Sequence, residues 1–405
     1  MHDRASTIHD DEPAARDVVA GERSRAEGEP QPAGREPVPI SRDQPALTGS
    51  QLENVSLTVA AAAMLVGAVV GLSLLRDFTP FRGDGWRSVG HVACVAAGLL
   101  AGVAFPGVLL RYSDRIMPWF RDAHPLRRAI QLAGLSLMMG SLTFFCVRAA
   151  NTVIDAAFVG LRFDVWSGTT FLAFVCAASG YFAASAAGRL TTELLSVLVS
   201  AFLVMGAMLS AVNASNHLWW QVHFSQLGMA PDLAGFAFNY TLILTGVVIV
   251  TIADFLAHDL KRWLFATGQG RWKSIVVRVG LMVMGAALGG VGLLPVNVSH
   301  AGHILMTYLA VGAFVALALV APVILRGIPR GFRIVSVATL AFVALLAYLF
   351  RGIRYLGTTG FEMLAVSTVL VWMVLFMRTI SAARRDVSEG EATGAAGPDP
   401  IHAGA

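Results

Sequence analysis

Charge is scarce in this chain. Of its 405 residues only 14% are charged, while 56% are hydrophobic. Soluble domains carry about a quarter charged residues, so this composition excludes an ordinary soluble protein and reads as an integral membrane one. Lysine is nearly missing: Lys261 and Lys273 are the only two, and arginine supplies the rest of the 30 basic residues. That bias is the kind a GC-rich bacterial genome produces. Cysteine is limited to Cys94, Cys146 and Cys176, each inside an apolar run. Their spacing forms no CxxC or zinc pattern, so no disulfide framework is expected and the thiols read as small buried apolar residues. The net charge of +4 is modest, nothing resembles a nucleic-acid module, and no nucleic-acid partner is expected. There is no Walker loop, no GxSxG and no HExxH. A self-contained ATP-driven pump is therefore not expected, no catalytic residue is assigned, and no cofactor is indicated.

What the chain does have is long apolar runs. A hydrocarbon core ~30 Å thick needs about 20 helical residues to cross it. Ten runs qualify, near 54–75, 88–110, 129–150, 166–187, 193–213, 233–257, 274–294, 301–325, 333–351 and 360–380. They lack the alternation of barrel strands, so the expected fold is all-α, a polytopic transmembrane bundle of about ten spans. Basic residues concentrate in alternate breaks, at Arg111 to Arg128, Arg189, Lys261 to Lys273, Arg326 to Arg333 and Arg378 to Arg385. By the positive-inside rule both termini are cytoplasmic, and the expected location is the plasma membrane. Arg76, Arg82 and Arg87 blur that asymmetry in the first four spans. The chain accordingly reads as a four-helix region, 53–190, followed by a six-helix core, 191–380. The flanks, 1–52 and 381–405, are rich in Pro, Glu, Arg and Gly without apolar periodicity and read as disordered cytoplasmic tails.

One external break stands out, the stretch NASNHLWWQVHFSQLGMAP from Asn213 to Pro231. It holds two histidines and two adjacent tryptophans but no basic residue. Topology accounts for the missing charge. His217 and His223 here, with His300 and His303 after the seventh span, make four of the ten histidines. Imidazoles in such numbers are candidate metal ligands or proton shuttles, and the competing reading is interfacial histidines bonded to backbone or water. Asn213, His217, Trp219, Trp220, His223, Ser225, Gln226, Asn297 and Ser299 form the candidate ligand-binding set. Trp219 and Trp220 equally suit a membrane-interface belt. Val212-Asn213-Ala214-Ser215 and Val296-Asn297-Val298-Ser299 share the pattern Val-Asn-x-Ser followed closely by His. Either a duplicated hairpin or the common use of Asn and Ser at helix ends explains it.

Ionisable residues near the spans come next. Arg148 and Asp155 are seven apart on one helical face, expected to interact through Asn151 or Thr152. Asp254 and Arg278 lie at neighbouring span ends and can pair. Glu362 opens the tenth span close to Arg351 and Arg354. Snorkelling to the interface is the plain reading of all of them. Glycine is abundant, with 40 in all, and Gly285, Gly289 and Gly290 read as close-packing positions.

His223-Phe224-Ser225-Gln226-Leu227-Gly228, followed by Pro231, Phe238-Asn239 and Gly246, resembles an H-x-I-S-D-L-G segment. That segment belongs to the bacterial membrane family called domain of unknown function 998, itself distantly similar to DRAM/Frag-type membrane proteins. Gly292-Leu293-Leu294-Pro295 with His300 or His303 is a second point of likeness. The resemblance covers roughly residues 193–380 and implies a six-helix core without supplying a catalytic residue. The family's acidic position is Gln226 here. Three functions follow in order of support. The first is a transporter-like or lipid-facing bundle with an external polar and aromatic vestibule. The second is a structural or assembly protein whose tails hold cytoplasmic partners. The third is a membrane enzyme with a histidine-based external site. Membrane lipids are the expected partners, and homo-oligomerisation is compatible with all three.

Overall fold

A computed structural model describes residues 47–83, 85–117, 120 and 124–395. The expectation of disorder therefore falls, for residues 1–46 and 396–405, outside the described residues. Ten helices among those described are long and apolar enough to cross a membrane, as expected of a multi-pass membrane protein. In chain order they are α1 (Gly49–Leu74), α2 (Val89–Arg111), α4 (Pro125–Ala157), α5 (Val165–Gly188), α6 (Thr192–Val212), α7 (Leu233–Ala266), α8 (Trp272–Leu293), α9 (His300–Ile324), α10 (Arg330–Ala347) and α11 (Thr358–Ala395). A single turn, α3 (Ser113–Ile116), follows α2, and a π-helical turn, Tyr348–Gly352, extends α10. The connection to α11 holds Arg354 at φ 54°, a left-handed conformation uncommon outside glycine.

Short polar side chains start these helices where the chain leaves its loops. Ser88, Asp164, Thr191, Asp232 and Ser299 each accept a bond from a first-turn N–H, satisfying donors that have no partner inside the helix. Thr48 and Gln51 form a reciprocal capping box that opens α1 inside the expected tail. At the other end α11 runs on to Ala395, past the expected boundary at 380. Ala, Arg and Glu dominate that extension and favour helix. Arg384 reaches Asp259 at 3.4 Å and Arg385 reaches Glu193 at 2.9 Å, which fasten it to α7 and α6. Residues 381–387 are thus an ordered continuation of the last helix, not a loose tail.

Glycine and alanine set the packing distances. On α1, Gly67 and Gly71 sit against Ala173, Cys176 and Thr169 of α5. Gly98 of α2 meets the backbone of Gly140 on α4, and Gly246 of α7 lies on Gly285 and Gly289 of α8. Without a hydrophobic drive between helices in lipid, such small residues let dispersion contacts hold the bundle. In sequence of contact, α1 packs on α5, α5 on α2, α2 on α4, and α4 on α6 and α7; α6 to α11 then close on one another around α7. One core cluster runs through both expected regions, from Ala101 on α2 to Ala383 on α11. The boundary at 190 therefore marks a change in charge pattern within a continuous core. Cys94 and Cys176 are buried as expected, whereas Cys146 is exposed on the apolar outer surface.

The helices alternate in direction, giving the bundle two ends. One carries the segments 213–232, 294–299 and 353–357 and a two-stranded link pairing Thr79–Pro80 with Arg162–Phe163. It is called the histidine end below. The other carries 267–271 and 325–329 and is called the arginine end.

Candidate functional site

The segment from Asn213 to Pro231 folds as a cap on the histidine end. Asn213 closes α6, its Nδ2 donating back to Leu209 O at 2.7 Å. Asp232 opens α7, accepting from Ala234 N at 2.9 Å, and its carboxylate also accepts from the hydroxyl and backbone N–H of Ser215. Both ends of the segment are thereby fastened. Between them Trp219–Gln221 and Phe224–Met229 form two 3-10 turns. Leu227 and Gly228 are buried; Gly228 O accepts from Asn239 Nδ2 of α7 at 2.8 Å. A Cβ on Gly228 would stand 2.6 Å from Asn239 Oδ1, so only glycine lets the cap sit this low. Phe224 meets Trp219 at 6.0 Å and Phe238 edge-on at 5.2 Å between centroids. Trp220, by contrast, is exposed and suits a belt position.

Glu362, in the first turns of α11, is the residue that ties the cap to the rest. Its Oε2 accepts from Phe224 N at 2.5 Å, and the backbone N–H of Ser225 donates to the same carboxylate. His303 lies near the same carboxyl group. The His303 Nδ1 lies 3.0 Å from Leu294 O. A carbonyl only accepts, so Nδ1 carries the hydrogen and Nε2 is left available. His223 Nδ1 pairs with Ser225 Oγ at 3.0 Å. His223, Ser225, Glu362 and His303 therefore come together from three separated parts of the chain. Glu362, which the sequence places close to Arg351 and Arg354, is thus held by backbone N–H donors of the cap.

The other expected site residues do different work. His217 is exposed and its Nδ1 donates to Ala214 O at 2.9 Å; Ser299 caps α9; Asn297 and His300 are exposed. Gln226 is half-buried in the second 3-10 turn, its N–H donating to His223 O. Among the described residues no three His, Cys, Asp or Glu side chains are grouped to hold a metal ion. His217, His223, His300 and His303, the expected four-histidine metal set, are accordingly not gathered with one another among the described residues. The two Val-Asn-x-Ser stretches also differ, the first ending a helix and the second starting one. Asp155 pairs with Arg82 at 3.4 Å, while Asn151 turns inward to Gly90 O of α2 at 2.8 Å, so neither serves an Arg148–Asp155 link.

Below the cap the helices part. At the histidine end α10 and α11 are joined by Phe350 and Phe361, stacked at 4.7 Å. Nearer the arginine end they are joined by Phe332, Trp372 and Phe376, with Trp372 Nε1 donating to Ser336 Oγ at 3.0 Å and Phe314 of α9 edge-on to Trp372 at 5.5 Å. Between these ties no residue of 337–345 on α10 or 360–371 on α11 is buried, nor is any of 301–313 on α9. Along this stretch α10 and α11 are sparsely covered, with Leu340, Val343, Val369 and Leu370 only partly buried against the core, and this loosely packed apolar stretch under the cap is called the window below.

Burial holds His223 below its ordinary pKa, and hydrogen bonds led by the Ser215 hydroxyl hold the Asp232 carboxyl below the usual carboxylate range. The signs agree. A buried neutral histidine leaves the unfolded chain binding more protons once pH falls below about 6.5, so stability drops as pH falls from there toward the folded value. Asp232 adds stability above about 4 that disappears as pH falls through its lowered folded value. Hydrogen exchange of the amides of 224–229, corrected for intrinsic rate, should show weaker protection at pH 5.5 than at pH 7.5. Equal or stronger protection at pH 5.5 would exclude a buried neutral His223.

No family model, curated protein or solved structure matches this chain.

Proposed function

We propose that this protein is a transporter-like, lipid-handling bundle of the plasma membrane, which takes an amphiphile of the bilayer into the window between α10 and α11. The supporting observation is the loosely packed apolar stretch of α10 and α11 under the cap, tied at both ends by aromatic contacts. Its walls are apolar and its upper rim carries His223, Ser225, Glu362 and His303. Apolar walls with a polar rim at one end match a molecule with acyl chains and a polar head. The arginine distribution supports a cytoplasmic position for both termini and the arginine end. The window then opens toward the outer leaflet. The chain's resemblance to the domain of unknown function 998 family rests on His223 to Gly228, Pro231, Phe238-Asn239 and Gly246, with Gly292 to Pro295 and His300 or His303 as a second point. Of these, Gly228, Asn239, Gly246 and Gly292 are packing contacts between cap, α7 and α8, which supports reading the resemblance as one of scaffold.

Glu362→Gln tests this reading. The bonds from Phe224 and Ser225 N–H to this carboxyl group are each worth about 0.5–1.5 kcal/mol, so an amide, with a single acceptor oxygen, should loosen the cap. Native mass spectrometry of the purified protein should show co-purified lipid occupancy reduced at least fivefold, with the protein still folded. Unchanged occupancy and lipid identity would sink the proposal. The glycine contacts of α1 with α5 and of α7 with α8 favour a second reading, a rigid assembly scaffold. It is the reading to adopt if wild-type protein retains no lipid.

A further inference from the structure

At the arginine end Asp254 of α7 is 7% exposed and receives three donors. Arg278 Nε of α8 donates to Oδ1 at 2.9 Å, Gln131 Nε2 of α4 donates to Oδ2 at 2.5 Å, and Arg127 of α4 also bonds Oδ1. One carboxylate neutralises one guanidinium, so the cluster carries an excess positive charge. Arg127 and Arg278 remain about a third exposed, at 35% and 32% of their side chains. Arg278 lies six residues into α8, about 9 Å from its start at 1.5 Å per residue. That depth is the border of hydrocarbon and headgroups. An excess positive charge at that level attracts an anionic headgroup, and a planar guanidinium with unused N–H donors is suited to bidentate phosphate binding. A second gap accompanies the first. Gln131 is 3% exposed, and its Oε1 has no partner among the described residues. Its Nε2 must face the carboxylate, which only accepts, so the amide cannot turn over to relieve Oε1. A buried acceptor of this kind costs about 1–3 kcal/mol unless a donor reaches it.

We infer that Arg127, Arg278 and Gln131 form a phosphate-binding site between α4 and α8, which takes a phosphodiester whose head also carries a hydrogen-bond donor. The phosphate answers the excess charge, and a headgroup hydroxyl answers Gln131 Oε1. A lipid of the cytoplasmic leaflet and free phosphate share the anion chemistry, but only the lipid brings the hydroxyl and an apolar anchor. The site is separate from the window at the histidine end and stands without it.

The test uses the full chain in detergent, with thermal unfolding followed against added ligand. Phosphatidylglycerol should raise the melting temperature and bind at least tenfold more tightly than phosphatidylcholine, whose head offers no donor. Inorganic phosphate should compete only weakly. Arg278→Gln leaves Asp254 paired with Arg127 and so should fold, but it should lose most of the preference for phosphatidylglycerol. Arg278→Lys keeps the charge without the fork and should lose part of it. Gln131→Leu should lessen the gap between phosphatidylglycerol and phosphatidylcholine. Equal binding of the two lipids by the wild type would overturn the inference, as would a preference untouched in Arg278→Gln. Phosphate competing as well as the lipid would assign the site to the free anion and overturn its lipid part.

Discussion

Gly246→Val should prevent the bundle from closing. A Cβ at this position would stand 2.4 Å from Gly285 O and 2.7 and 2.8 Å from Gly289 N and Cα. All three are backbone atoms of α8, so no side-chain rotation relieves the clash and the two helices must separate. Overpacking a core commonly costs 1–3 kcal/mol. Here the separation also strips contacts along the most buried helix of the protein, so a loss of about 3 kcal/mol or more is expected. Gly246→Ala should already lower the melting temperature in detergent clearly, and Gly246→Val should give little folded protein. Gly312→Ala is the control, because nothing lies within 4 Å of its position. A melting temperature for Gly246→Ala equal to that control would show that α7 and α8 do not pack as described.

Asp254→Ala should be the most damaging loss of a polar group. Removing one partner of a buried ion pair typically costs 3–5 kcal/mol, because the surviving charge stays behind without compensation. Two guanidiniums would be left facing each other across α7. Their partial exposure lets them move toward water or headgroups, which places the expectation near 3 kcal/mol. Asp254→Asn keeps the shape and should recover little, since an amide oxygen is a weaker acceptor for two cations. The double variant Asp254→Ala with Arg278→Leu should be more stable than Asp254→Ala alone. If unfolding of the double variant is instead the sum of the two single effects, the pair is not coupled.

How much of this was legible in the sequence follows from distance along the chain. The ten spans were readable because twenty apolar residues in a row have few other uses. The Asp254–Arg278 pair was readable because the two residues sit on neighbouring span ends joined by a short turn. The additions of Arg127 and Gln131 were not, because α4 lies more than a hundred residues away. Glu362 shows the same limit. It was visible as a lone carboxylate opening an apolar helix, but its partners, the backbone N–H groups of Phe224 and Ser225, carry no sequence signal. The histidines show the limit from the other side. Their number drew attention to a metal, but the sequence does not say which imidazoles lie near one another in space, and among the described residues they are not grouped. The ends of α7 and α11 were placed short because hydropathy falls where a helix leaves lipid, while the backbone bonds that continue it do not.

The last helix joins two regions otherwise treated apart. From Thr358 to Ala395 it is one element of 38 residues, about 57 Å long at 1.5 Å per residue, against a hydrocarbon core of ~30 Å. Glu362 holds the cap at one end, and Arg384 and Arg385 hold α7 and α6 near the other. The tail and the cap are therefore two points on a single stiff rod. A displacement of residues 381–387 along the helix axis would be carried to Glu362, and with it to the cap, by the helix backbone itself.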